Sequence, residues 1–249
     1  MRMQHDDLAE GRAARSTDDL DGSGADDRPQ KEYGFVAVCA GSGIADTFRD
    51  LGADVIVEGG QTMNPSTEDI LTAIRKTPAE TVFVLPNNKN IIMAAEQARD
   101  LVKDRNVIVI PSKTVPQGFT AMMNFESSLS CEQLTQAMTD CLDSVMTMQI
   151  TYAARDSDFD GRDIHEGDYL GLCGGSLLST DRELAGILRL MAQKVAEENR
   201  QFVNVFFGED ISEEQAQEAA AIFAEAAPDA EVNVIYGGQP IYYYMISAE

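Results

Sequence analysis

From Tyr33 onward, short apolar runs alternate with segments whose apolar positions recur every three to four residues. Residues 35–40 (FVAVCA), 54–58 (DVIVE), 81–86 (TVFVLP) and 106–111 (NVIVIP) are apolar without alternation, the pattern of strands buried on both faces of a parallel sheet. Three helices are expected between them. The first is short, over 44–51; the second follows Ser66 and carries Ile70, Leu71 and Ile74; the third follows Asn90 and carries Ile91, Ala94, Ala98 and Leu101. Ser66 with Asp69 offers an N-terminal cap for the second. Strand, helix and strand in succession imply right-handed crossovers and a doubly wound, mostly parallel sheet.

After a polar stretch and a helix near 130–146, a second series begins: QITYAA, YLGLC, a helix over 183–199, FVNVFFG, a helix over 212–227, EVNVIYG and IYYYMIS. Ser212 followed by Gln215 matches a capping box, and Pro228 stops that helix. A hairpin makes this second sheet mixed. The expectation is a two-lobed α/β chain, 33–146 and 147–249, with a ligand cleft between the lobes. Residues 1–32, rich in Asp and Gly and without an aromatic, read as an acidic linker or tail.

In a doubly wound sheet, ligands meet the loops at the carboxyl ends of the strands. Four polar loops occupy such ends: AGSG, EGGQTMNPS, PNNKN and PSKTVPQG. Their candidate ligand-binding residues are Gly41, Ser42, Gly43, Gly60, Thr62, Asn64, Ser66, Asn87, Asn88, Lys113 and Thr114. Glycines let backbone N–H groups approach a ligand, and the hydroxyls and amides near helix starts suit a carboxylate or phosphate. Each also has a plain structural role, Ser66 as a cap and Gly60 as a turn residue, so the case rests on the four loops jointly. In the terminal YGGQPIYYYMISAE, alternation would place Tyr242 and Tyr244 on one side of a strand and Tyr243 on the other. Tyr236, Gln239, Tyr242 and Tyr244 are candidates for contact with a partner.

Other chemistries fit less well. AGSGIAD, with Glu58 closing the next strand, is an incomplete dinucleotide fingerprint, because Asp46 stands at the third glycine position and the helix is short. DSDFDGRDIHEG places Asp156, Asp158, Asp160 and Gly161 as a calcium loop would, but position twelve is Gly167, and a solvated acidic β-turn fits better. His165 is the only histidine after the tail, and no G-x-S-x-G or P-loop motif occurs. No catalytic residue and no metal site are assigned.

Composition narrows the partners. With 44% hydrophobic residues the 249-residue chain can build a substantial core, and a net charge of −23 repels nucleic acid. Four cysteines without C-x-x-C spacing, and no apolar stretch of the ~18 residues that would cross a bilayer, point to a reducing, cytoplasmic setting.

Four segments in order, EGGQTMNPSTEDI, LPNNKNIIMAA, VIPSKTVPQG and YGGQPIYYYMISAE, resemble the carboxyl-terminal region of the large, kinase-bearing subunit of bacterial fatty acid kinase, a relative of dihydroxyacetone kinase. The resemblance runs from about Tyr33 to Glu249 and implies the two-lobed DegV-type fold of the separate fatty-acid-binding subunit. It also implies that ATP and magnesium belong to an amino-terminal kinase domain lacking here, so that this chain needs no cofactor and does not phosphorylate alone. In DegV-type binders a Thr-Ser-Gln-Pro-Ser loop helps hold the fatty-acid carboxylate; Thr62, Met63, Asn64, Pro65 and Ser66 occupy the comparable turn. Asn87, Asn88 and Lys89 replace a Ser-Gly-Thr loop, and Tyr236 replaces a late histidine. The resemblance thus implies a noncatalytic docking or regulatory domain, with the kinase domain and the fatty-acid-binding subunit as partners and a homodimer as a further possibility. The alternative is a fatty-acid or small-anion binder with its ligand between the lobes; an NAD-linked enzyme comes third.

Overall fold

The computed structural model describes residues 30–60, 63–159 and 162–249. Residues 1–29 of the expected tail lie outside them, whereas Lys31 and Glu32, counted with the tail, open the first strand.

The first sheet is four-stranded and wholly parallel, formed by β1 (Lys31–Cys39), β2 (Val55–Glu58), β3 (Ala79–Leu85) and β4 (Asn106–Val109) in the order β2-β1-β3-β4. Both faces are covered, which is why the runs do not alternate. Val36, Val38, Val82 and Val84 pack under α2 (Thr67–Lys76) and α3 (Lys89–Leu101). Phe35, Ala37, Cys39, Phe83 and Leu85 face α1 (Ser42–Asp50), α4 (Val115–Met123) and α5 (Cys131–Asp140). Helix α4 falls in the stretch expected to be polar loop; Thr114 caps it and Pro116 sits in its first turn, where a proline costs no hydrogen bond. The helix expected over 130–146 ends earlier, passing through a 3-10 turn, Cys141–Ser144, into the strand that opens the second sheet.

The second sheet is mixed and six-stranded. It contains β5 (Met146–Tyr152), β8 (Tyr169–Cys173), β9 (Ser176–Asp181), β10 (Phe202–Phe207), β11 (Glu231–Tyr236) and β12 (Tyr244–Ala248), ordered β11-β10-β12-β5-β8-β9. Only β10 and β11 run parallel. Helices α6 (Leu184–Glu197) and α7 (Glu213–Ala226) cover one face, with Val203, Val205, Tyr244 and Ile246 beneath them. On the opposite face Phe206 and Met245 enter the core of the first sheet, and the Phe119 and Phe206 rings stack with centroids 5.4 Å apart. A small hairpin, β6 (Ser157–Phe159) with β7 (Arg162–Ile164), occupies the calcium-like segment. There Asp156 accepts a hydrogen bond from the Glu166 N–H at 2.7 Å, while Asp160 and Gly161 lie outside the described residues.

Candidate functional site

The carboxyl ends of β1, β2, β3 and β4 turn toward the second sheet, and a cavity of about 440 Å³ lies there. That volume falls in the range of small-molecule sites, roughly 300–1,000 Å³. Of the ligand-binding candidates, Gly60, Asn87, Asn88, Lys113 and Thr114 line it. Thr62 lies outside the described residues. Gly41, Ser42, Gly43, Asn64 and Ser66 do not reach it.

Four of these polar positions have a structural task. Ser66 caps α2 in a reciprocal capping box with Asp69, so the opening of the turn is spent on the helix. The Asn88 side chain accepts from the Asn90 N–H at 2.9 Å and caps α3. Asn87 adopts a left-handed backbone, φ 54°, and donates from Nδ2 to the Val38 carbonyl at 2.9 Å. Ser112 donates its hydroxyl proton to Asn87 Oδ1 at 2.8 Å, closing a buried network across the ends of β1, β3 and β4. Thr114 caps α4, and its hydroxyl meets that of Thr147 on the second sheet at 2.8 Å.

The AGSG loop is packed rather than open. A side chain at Gly41 or Gly43 would run into the backbone of Tyr236, Gly237 and Gln239, and the Ile44 N–H donates to the Gly237 carbonyl at 3.0 Å. The second sheet therefore fills the space in which a dinucleotide pyrophosphate would approach those glycines, which removes the physical basis of the NAD-linked expectation.

The terminal segment departs from alternation because Ile241 has φ 72° and the Tyr242 N–H donates back to the Pro240 carbonyl. Tyr242 lines the cavity, whereas Tyr244 is 1% exposed under α7 and donates to the Gln215 carbonyl at 3.1 Å. Gln239 is 4% exposed and donates from Nε2 to the Phe206 carbonyl. Gln239 and Tyr244 are thus corrected from surface contacts to interior residues; Tyr236 remains half exposed.

The cavity grades from apolar to charged. Val38, Cys39, Ile44, Ile91 and Met245 line its buried part, at 0–3% exposure. Its charged lining residues, Glu58, Lys89 and Lys113, are all exposed at the rim. Burial pushes the Cys39 thiol and the Tyr242 hydroxyl each up to about 12, so both stay protonated and uncharged against the cavity at neutral pH.

The FakA-like C-terminal family, the carboxyl-terminal domain of the A-like subunit of fatty acid kinase, matches residues 34–249. The chain belongs to it. The protein YloV of Bacillus subtilis (strain 168), a relative of this FakA-like domain, is 43% identical over 222 residues, 89% of this chain and 40% of its own length. The chain thus spans less than half of that relative. In fold, the domain is similar to a DegV family protein from Corynebacterium glutamicum, with a TM-score of 0.64 and 13% identity over 87% of this chain and 96% of that one. It is also similar to the Streptococcus pneumoniae fatty acid kinase B3 protein loaded with linoleic acid, with a TM-score of 0.59 and 12% identity over 88% and 99%. The expected α/β, DegV-like fold is present. Among the described residues no helix is long and apolar enough to cross a membrane.

The far wall of the domain's cavity had no signal in the sequence. Thr147, Gln149, Leu172, Gly174 and Gly175 come from the second sheet, distant in the chain from the four loops. Only Gly174 and Gly175, a two-residue hairpin turn with φ 58° and 84°, are recognisable as a tight turn in advance.

Proposed function

We propose that the chain is a noncatalytic carboxyl-terminal domain of a fatty acid kinase-related protein and acts by docking within the kinase complex. One observation supports this above others. The hydrogen-bonding groups at the strand ends serve the fold itself: Ser66 and Asn88 cap helices, Asn87 ties three strands together, and Gly41 and Gly43 seat the second sheet. A binder-shaped scaffold in which Ser66, Asn87 and Asn88 are engaged internally suits a role in assembly. Its net charge of −23 complements a basic patch on a partner and would steer encounter at low salt. The partners proposed are the kinase domain and the fatty-acid-binding subunit of the same complex; ATP and magnesium are assigned to the kinase domain.

The immobilised chain should retain at least one of those partners in a pull-down, and retention should weaken as salt rises. Failure to retain either at roughly tens of micromolar, a generous level for a transient interface, removes the proposal. The cavity between the sheets favours a second reading, binding of a small molecule with an apolar body.

A further inference from the structure

We infer that the cavity takes a single-chain amphiphile with an anionic head group, a carboxylate or a phosphate, and that Lys89 and Lys113 hold this group at the rim. The inference rests on the binding reading and moves the head group away from the turn around Ser66. It begins with the distribution of charge. The chain has 42 acidic residues and only six lysines. Lys31 and Lys194 are in ion pairs with Asp54 and Glu198, and Lys103 donates to the Asp100 carbonyl. Lys76, Lys89 and Lys113 have no carboxylate partner among the described residues, and of these three Lys89 and Lys113 line the cavity. In so acidic a chain, two unpaired ammonium groups on one rim form a local positive site.

The local fold strengthens it. Lys89 is the first residue of α3, and Lys113 immediately precedes Thr114, the cap of α4. Two helix N-termini therefore open beside the two lysines, adding their partial positive charge to the same place. Glu58, the one carboxylate in the lining, opposes this field and sets the head group toward the lysine side. Inward from the rim the lining becomes apolar, ending on Val38, Ile44, Ile91 and Met245. Burying an acyl or alkyl chain against them contributes about 0.8 kcal/mol per methylene. The gradient fixes the orientation, with the chain inward and the charge outward.

Dodecanoate, dodecyl phosphate and dodecanol, titrated into the intact chain by calorimetry, separate the possibilities. At least one anion should bind one to one and roughly tenfold more tightly than dodecanol, the contribution expected of partly exposed charge pairs. The tighter of the two anions identifies the head group. The double variant Lys89→Met, Lys113→Met keeps the apolar stems and should bind that anion no better than dodecanol, while the control Lys103→Met should bind as the parent chain does. A thermal melt of each variant checks that the fold is retained. Equal affinity for dodecanol, or an unchanged double variant, overturns the lysine assignment and leaves the binding reading in place. Binding of none of the three overturns both.

Discussion

Gly118 of α4 packs directly on the side chain of Asn87: a Cβ added to the glycine would fall far inside contact distance of Asn87 Oδ1. The amide has no room to yield, because the Val38 carbonyl holds its Nδ2 and the Ser112 hydroxyl holds Oδ1 itself. Gly118→Ala should therefore destabilise the chain, although alanine in a helix is favoured over glycine by about 1 kcal/mol. Urea unfolding decides the sign; stabilisation would mean that Asn87 is free to move.

Phe119 and Phe206 carry the contact between the two sheets. Phe206→Ala should cost about 3–5 kcal/mol, the range for large aromatic truncations in a core. In a double-mutant cycle, Phe119→Ala and Phe206→Ala should show a coupling of about 0.5–1.5 kcal/mol, since the rings meet each other. Simple additivity would place the rings in independent environments.

The caps make a separate prediction. Ser212 accepts from the Gln215 N–H and the Gln215 side chain answers it, so Ser212→Ala should cost about 1 kcal/mol in urea unfolding. At α2 the Ser66 hydroxyl and backbone N–H hold the Asp69 carboxyl below its usual range. Stability from this pairing is present above the ordinary carboxylate value and is lost as pH falls through the lowered one. Asp69→Asn should flatten that acid limb; an unchanged pH profile would show the carboxylate to be unlinked to folding.

On the alkaline side the slope reverses. Burial pushes Cys39 up to about 12 from an ordinary value of 9.0, and Tyr242 and Tyr244 up to about 12 from 10.0. Between those values the unfolded chain releases protons that the folded chain keeps, so stability falls as pH rises through this window and is unaffected by these groups below it. Ultraviolet phenolate absorbance should show part of the tyrosine signal appearing only as the fold opens. Full titration of all tyrosines near their ordinary value, with the fold intact, would contradict their burial.

The strands of the first sheet were legible because burial on two faces leaves only apolar residues, as Val36 and Ala37 show by entering opposite cores. Helix α4 was obscured because Ser112, Lys113, Thr114 and Pro116 resemble a loop; in the fold they are the cap and first turn of a helix. Strand β9 was missed for a related reason, since its SLLSTD sequence lies at a sheet edge and lacks a deep apolar face. The loop-edge argument brought five candidates to the cavity. The cap at Ser66 was visible because its partner lies three residues away, whereas the packing of Gly43 was not, because competition with a distant sheet leaves no local signal.

Phe206 and Met245 belong by chain to the second sheet and by packing to the interior of the first. The interior on this side of the first sheet is therefore completed by the second. A cut made between the sheets would expose apolar side chains on both fragments. The walls of the cavity are consequently set by the same contacts that keep the chain folded. Met245 lines the cavity as well, so whatever enters touches one of the side chains that join the two sheets.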